Sequence, residues 1–364
     1  MKKKTQPQDA WYTSDGPDSD VVISSRVRIA RNLEGFKFPP ALRSDDAERV
    51  QSLVLDAYNR LSMDERFQMV RISDMDAFGR RIMSERGVIE PDCGSEPWRS
   101  VAIRNDGVVS MTVNMEDHLR IAAFGAGLSL GPSAGLVMKL EAELAKHLSF
   151  CSMKGFGFLS SSIMDSGNAL RTSVLLSLSG LCMNGLIDRV IRDYLAQGFV
   201  IRGYYGQRDG LSLGCVYQLS NLHSNAADSE AVLAAMEQAA SRIVALERKS
   251  RDELVLSRPT TLEDSFFRAI VTAKYARFLS FAEAVDLVQR IRGGVYSGLV
   301  TGVTYSELTA LLYRVQNAHI GFIIAGGNVI IENDVVSEEM KLDRLRAMIV
   351  QEVLKTADIR ERRQ

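Results

Sequence analysis

Apolar and polar residues alternate over residues 21–32 (VVISSRVRIARN), which sets Arg26 and Arg28 on one face of an extended segment and Val27 and Ile29 on the other, as a half-buried strand requires. Residues 108–113 (VVSMTV) follow the turn Asn105-Asp106-Gly107 and read as an apolar strand that runs into a charged cluster, 113–120 (VNMEDHLR). Further strands are predicted at 156–159, from Arg171 to Leu178, over 198–206 (GFVIRGYYG) with Arg202 at its end, and over 213–220. Helical spacing of apolar residues marks 45–61, through Val50, Leu53, Val54 and Tyr58, and the segment on to Glu90 is mixed helix and loop. Pro132 opens a helix in which Leu136, Leu140, Leu144 and Leu148 recur every fourth residue. Helices are also predicted around 182–196 and over 229–251.

The pattern changes near Leu256-Ser-Arg-Pro-Thr260. Downstream, 262–274, 280–291, 304–318 and 337–356 read as helices, and only 321–331 is strand-like. An α+β chain follows, in three parts: a polar segment 1–20, mobile or lying along the surface; a mixed domain 21–257; and a helical C-terminal domain 258–364.

Composition adds mainly exclusions. In 364 residues, 46% are hydrophobic and 24% charged, enough for a sizeable core and two domains. A net charge of −1 gives no global attraction to nucleic acid or an anionic membrane, and no apolar run approaches the ~20 residues of a membrane span. A cytoplasmic location is the default. Cys93, Cys151, Cys182 and Cys215 form no CxxC pair, so they read as reduced, mostly buried thiols. The four histidines are too dispersed for a metal cage, and only His118 has a suspicious setting. There is no GxxxxGK[ST] loop, and 125–131 (GAGLSLG) misses the dinucleotide spacing and reads as a flexible loop before a helix rather than directly after a strand.

Arg26, Arg28, Arg120, Arg171 and Arg202 all fall at strand positions or strand ends, so one sheet can converge them on a multiply charged anion. A nucleoside triphosphate fits, since phosphoryl transfer needs positioning and neutralisation of the phosphates, usually with magnesium. The plainer alternative is a set of arginines paired with acidic neighbours on the surface.

Four motifs in order, SSRVRIARN, NMEDHLRI, the loop ending in Gly167-Asn-Ala-Leu-Arg171, and IRGYYG at 201–206, resemble the phosphagen (guanidino) kinase family, and most closely its bacterial protein-arginine kinase branch, of McsB type. The resemblance spans about residues 21–225, and the helical region beyond it is similar to the C-terminal domain of that branch. It implies an antiparallel sheet flanked by helices, of the glutamine-synthetase-like class, and bound ATP with Mg2+. The nucleotide contacts carry over to Ser24, Ser25, Arg26, Val27 and Arg28, to Arg120, to Arg171, Thr172, Ser173, Val174 and Leu175, and to Arg202, Gly203, Tyr204, Tyr205 and Gly206. Glu116 takes the place of the base, Gln207 that of a second carboxylate, and no metal ligand from the protein is implied. The acceptor would be an arginine side chain on a protein, with a small zinc-binding activator, a Clp-type protease unfoldase and a homodimer through the C-terminal domain as partners.

Departures weigh on the acceptor side. Met115 and Gln207 stand where the family has glutamates, Ser162 replaces a cysteine, Asp165 an asparagine and Ala169 a glycine, and Gly87 stands where the branch has a histidine near the nucleotide. The phosphoarginine-reading motif is only partly matched at 342–347 (LDRLRA). Two alternatives to a protein-arginine kinase are a nucleotide-binding pseudokinase acting through interaction and a kinase for a free guanidino metabolite.

Overall fold

The computed structural model describes residues 11–61, 67–208, 211–224, 228–327 and 329–360. In chain order the elements are β1 (Val22–Arg31), α1 (Ser44–Asn59), β2 (Phe67–Arg71), α2 (Ala77–Glu85), β3 (Ser100–Arg104), β4 (Val109–Val113), β5 (Leu119–Ala126) and α3 (Leu130–Leu144). The short pair β6 (Ser152–Met153) and β7 (Gly157–Phe158) precedes β8 (Leu170–Ser177), α4 (Ser179–Met183), α5 (Ile187–Leu195) and β9 (Phe199–Gly203). The pair β10 (Gln207–Arg208) and β11 (Leu211–Ser212) leads to β12 (Val216–Asn221) and the long α6 (Ser229–Ser257). Then come α7 (Pro259–Tyr275), α8 (Phe281–Tyr296), β13 (Val300–Thr301), α9 (Tyr305–Arg314), α10 (Asn317–Ala325), α11 (Glu338–Val353) and β14 (Asp358–Ile359).

Eight strands form one sheet in the order β2-β3-β4-β5-β1-β8-β12-β9, and every neighbouring pair is antiparallel. Alternation gives its two faces different fates. Val27, Ile29, Ile121, Ala123, Leu170, Val174 and Leu219 turn one way and are buried with Val137 and Leu140 of α3, Val190 of α5 and Ile243 of α6. Burying each Val, Leu or Ile there contributes about 1.5–3 kcal/mol. Arg26, Arg28, Arg120 and Arg171 turn the other way. Part of that second face, at Leu175 and Val216, packs on Leu262, Phe266, Val285 and Val288 of α7 and α8.

Several sequence expectations change. Residues 11–20 do not trail along the surface: Tyr12 is buried and stacks on Tyr313 of α9, Trp11 stacks on Phe124 of β5, and Arg248 binds Asp18 and Asp20. Residues 1–10 lie outside the described residues. The glycine-rich 125–131 directly follows a strand, because β5 runs to Ala126 and α3 already starts at Leu130. The buried stripe of α3 is Ala134, Val137, Leu140 and Leu144; Leu136 is only half-buried, and Leu148 lies past the helix end. The helix expected over 182–196 breaks into α4 and α5, and the strand expected from 213 starts at Val216 after a 3-10 turn. Of the cysteines only Cys182 is buried; the other three are half-buried, and all four are free.

Where a strand is expected over 321–331, no strand forms among the described residues, and 321–325 instead complete the helix α10. Its β-branched residues read as strand, but tertiary contacts decide. The Glu85 carboxylate accepts from the Ala318 amide at 2.8 Å and satisfies the first turn, and Gly321 lets α10 press against Phe78 of α2, where a Cβ would come within 2.7 Å of the ring.

Candidate active site

The register of the sheet places the five arginines on one surface. Arg28 of β1 lies directly opposite Arg171 of β8, Arg26 is two residues along, and Arg120 of β5 faces Ala30, two residues the other way. Arg202 of β9 pairs with Gln218, which pairs with Leu175, in the same alternation as Arg171. Two guanidinium groups directly opposed across a strand pair are unfavourable by a few tenths of a kcal/mol or more. The compensation is incomplete: Arg26 Nε and Arg120 Nε are buried without a hydrogen-bond partner among the described residues. Burial, with Arg120, Arg26 and Arg171 close by, pushes the Arg28 guanidinium down to about 9, with Asp165 offsetting part of this. Burial and Arg120 likewise lower that of Arg26.

Three carboxylates stand among these cations. Glu116 accepts from Arg120 Nη2, Glu90 accepts from Arg120 Nη1 at 2.9 Å and lies 4.0 Å from Arg28, and Asp165 accepts from Arg171 at 2.9 Å. A cavity of about 340 Å³ is lined by Arg28, Arg171, Arg202, Glu116, Ser162 and Asp165 among others. A smaller one of about 130 Å³, sharing Arg28, Arg171 and Ser220, extends to Arg26, Ser173 and Gln218. Cationic walls with carboxylates at one side suit a polyanion, with a cation held beside it.

The run 114–120 divides its labour differently from its composition. Asn114 takes a left-handed backbone conformation, φ 55°, and its amide donates to the Ala47 and Trp98 carbonyls at 2.8 and 2.9 Å. Asp117 is buried and accepts from Asn32 Nδ2 and the Ser161 amide, both at 2.8 Å. His118 is fully buried: Nδ1 accepts from the Leu33 amide at 3.0 Å, so Nε2 donates to the Lys37 carbonyl at 2.9 Å. Burial lowers its pKa and favours this neutral form. These three build the hairpin, and Glu116 and Arg120 are what it presents.

Other expected contact residues separate likewise. Ser25, Val27, Thr172 and Val174 point their side chains into the helix-covered face. There Ser25 bonds the Gly127 carbonyl at 2.7 Å, Thr172 bonds Asn221 at 3.2 Å, and Val27 and Val174 belong to the core. Ser24 is buried, Leu175 packs among the C-terminal helices, and Tyr205 sits edge-on to Phe281 of α8. Tyr204 lies close enough to Arg26 to interact with its charge. Gly203 lies against Ser212, and Gly206 has φ +90°. Gln207 pairs with Ser212 through the backbone; its side chain lies outside the described residues.

The departures are placed too. Met115 is buried with its sulfur 3.2 Å from that of Cys93. Ala169, in place of a glycine, holds φ +52°, a conformation that costs a Cβ-bearing residue about 1–2 kcal/mol. A Cβ at Gly87 would come within 3.8 Å of Arg26, so that position borders the cationic surface. Arg346 of the partly matched motif is buried and bonds the Val315 and Leu279 carbonyls at 2.8 and 2.7 Å. Sequence reading missed Glu90, three residues past Gly87 in the stretch ERGVIE; the family position matched by Gly87 is the one signal in the chain that points to this stretch.

Comparison with known proteins matches residues 49–250 to the family model "ATP:guanido phosphotransferase, C-terminal catalytic domain" and 259–364 to "Protein-arginine kinase McsB C-terminal domain". A protein-arginine kinase from Pelotomaculum thermopropionicum is 32% identical over 314 residues, 85% of this chain and 88% of the relative. One from Geobacillus thermodenitrificans is 28% identical over 347 residues, 93% and 95% of the two chains. Among solved structures, the substrate-free duplicated taurocyamine kinase of Schistosoma mansoni superposes with a TM-score of 0.58 at 19% identity, over 72% of this chain and 41% of that one. A lombricine kinase gives 0.56 at 17% identity, over 67% and 72%. At these identities the structural likeness concerns the fold, an antiparallel sheet flanked by helices.

Proposed function

Because this chain belongs to the ATP:guanido phosphotransferase family, in its protein-arginine kinase branch, we propose that it transfers the γ-phosphoryl group of MgATP to arginine side chains of proteins. The observation that carries this reading is the opposed pair Arg28 and Arg171, flanked by Arg26, Arg120 and Arg202 on one sheet face. Five guanidinium groups with three carboxylates among them are tolerable when a polyanion joins them, and their two-point donors suit phosphate oxygens. The buried, unpartnered Nε atoms of Arg26 and Arg120 fit such an anion. Among the described residues no group of carboxylates, imidazoles and thiols is placed to hold a metal, so Mg2+ would ride on the phosphates and neutralise charge there.

Glu116 is the proposed base. A guanidinium is protonated at neutral pH and is a poor nucleophile until a carboxylate localises its charge and accepts a proton. The terminal nitrogen of the target arginine forms a bond to the γ-phosphorus as the bond to the β,γ-bridging oxygen breaks; ADP leaves, and Glu116 takes the proton from nitrogen. Its half-exposed carboxylate beside Arg120 is open to an incoming side chain. Residues 21–257 are proposed as the catalytic domain and 258–364 as the C-terminal domain. A homodimer through that domain, a zinc-binding activator and a Clp-type unfoldase as partners extend the reading from the family alone. Among the described residues no helix is long and apolar enough to cross a membrane. A pseudokinase is not favoured, since relatives over most of the chain are named kinases.

The test is incubation with MgATP and an arginine-rich protein, beside Glu116→Gln, followed by mass analysis that avoids acid, to which the P–N bond is labile. Phosphoarginine that disappears in the variant supports the assignment; incorporation on other residue types, or none, refutes it.

A further inference from the structure

The acceptor side of the site is short of charge where the family motifs would supply it. Met115 is buried against Cys93 and cannot face a substrate, and Gln207 has no charge to offer. A cationic target brought up to five arginines needs more negative charge than Glu116 alone gives, and Asp165 is already engaged with Arg171 at 2.9 Å. Glu90 is in position to supply it. It lies in the segment between α2 and β3, outside the four ordered motifs, and its side chain is 54% exposed, against 45% for Glu116. The two carboxylates accept from the two terminal nitrogens of one guanidinium: Arg120 Nη1 donates to Glu90 at 2.9 Å and Arg120 Nη2 to Glu116. A pair of carboxylates clasping a guanidinium is therefore already assembled, with Arg120 in its grip.

We propose that Glu90 is the second acceptor-binding carboxylate of this enzyme, occupied by Arg120 and Arg28 in the free protein and released to the target arginine when nucleotide phosphates take over those two donors. The inference rests on the kinase reading. It implies ordered addition, because the acceptor meets free carboxylates only after nucleotide has bound. Glu90 also lines the cavity of about 770 Å³ between α2 and α10, which leaves room beside it for the polypeptide carrying the target.

The test compares wild type, Glu90→Gln and Glu90→Asp by titration with arginine amide as guanidinium probe, with and without MgADP, alongside KM and kcat for a protein acceptor. Wild type should bind the probe more tightly with MgADP present. Glu90→Gln should lose that gain and weaken the probe by about 10- to 100-fold, the effect of one charge-assisted hydrogen bond, with acceptor KM raised more than kcat is lowered. Glu90→Asp should recover part of it. A Glu90→Gln protein that binds the probe as wild type does, and only holds MgADP more tightly, would make Glu90 a mere counter-ion of the phosphate site and overturn the proposal. Absence of phosphoarginine in wild type would count against the kinase reading instead, and the probe titration would still decide the role of Glu90.

Discussion

Arginines are buried in two regions of this molecule and held in opposite ways. Around α6, α8 and α11, Arg251, Arg292 and Arg346 each donate to several internal acceptors, with Arg292 Nε alone of their nitrogens buried without a partner among the described residues. Arg251 bonds Glu247 at 2.6 Å, the Ser177 carbonyl at 2.9 Å and the Asp20 carbonyl at 3.0 Å. Arg292 bonds the Ser19 carbonyl and Thr309, and Arg346 bonds two carbonyls and Asn317. On the open face of the sheet, the half-buried Arg26 and Arg28 have mostly other arginines beside them, Arg28 coming no nearer than 4.0 Å to Glu90, while Arg171 is held by Asp165 at the mouth of the site. Buried arginine is thus no sign of function by itself; the inventory of partners tells the two apart. Where the acceptors are internal the guanidinium pins elements together, and where they are missing the protein waits for an external anion.

That contrast can be broken experimentally. Glu116→Gln, which leaves every arginine in place, should cut phosphoarginine formation by about 10²- to 10⁴-fold, the range for a lost general base, without changing nucleotide affinity much. Arg251→Ala should destabilise the fold by about 3–5 kcal/mol in urea unfolding, because Glu247 is left buried without its ion partner. Arg28→Ala or Arg171→Ala should do the reverse, weakening ATP by about 10- to 100-fold in calorimetry while stability holds or rises as like charges are separated. If Arg28→Ala unfolds the protein as readily as Arg251→Ala, the distinction fails.

The pH dependence sharpens the same point. Free arginine keeps its charge far into the alkaline range, whereas Arg28 is held down to about 9, so folding disfavours its charged form. Its charge is fully present below pH 8 and lost as pH rises through 9. Nucleotide affinity should be flat near neutrality and fall above pH 9, and Arg28→Ala should lack that step. The smallest effect is expected at Ala169→Gly, which relieves the left-handed backbone and should add up to about 1 kcal/mol of stability.

Much of this was legible in the chain. The alternation at Arg26 and Arg28 announced a two-faced strand, and the charged run after Val113 announced a site. What the run could not reveal is that Asp117 and His118 spend their polarity on Asn32, Leu33 and Lys37, since those partners are some eighty residues away. Glu90 was hidden for the same reason, since its partners Arg28 and Arg120 are 62 and 30 residues away and only the family position at Gly87 marked its surroundings. The helix α10 was misread because its β-branched residues follow strand preferences, and only Glu85 and Phe78, from another part of the chain, make a helix the better solution.

The stack of Trp11 on Phe124, with the Arg26 guanidinium 5.2 Å from the centre of the same ring, has a spectroscopic consequence. The chain has two tryptophans, Trp11 and Trp98, so Trp98→Phe leaves a single tryptophan, selectively excited at the red edge of the absorption, one ring away from the cationic surface. Drawing Arg26 toward an anion shifts the charge beside that ring, and the emission of Trp11 should report nucleotide occupancy in real time, with no label attached.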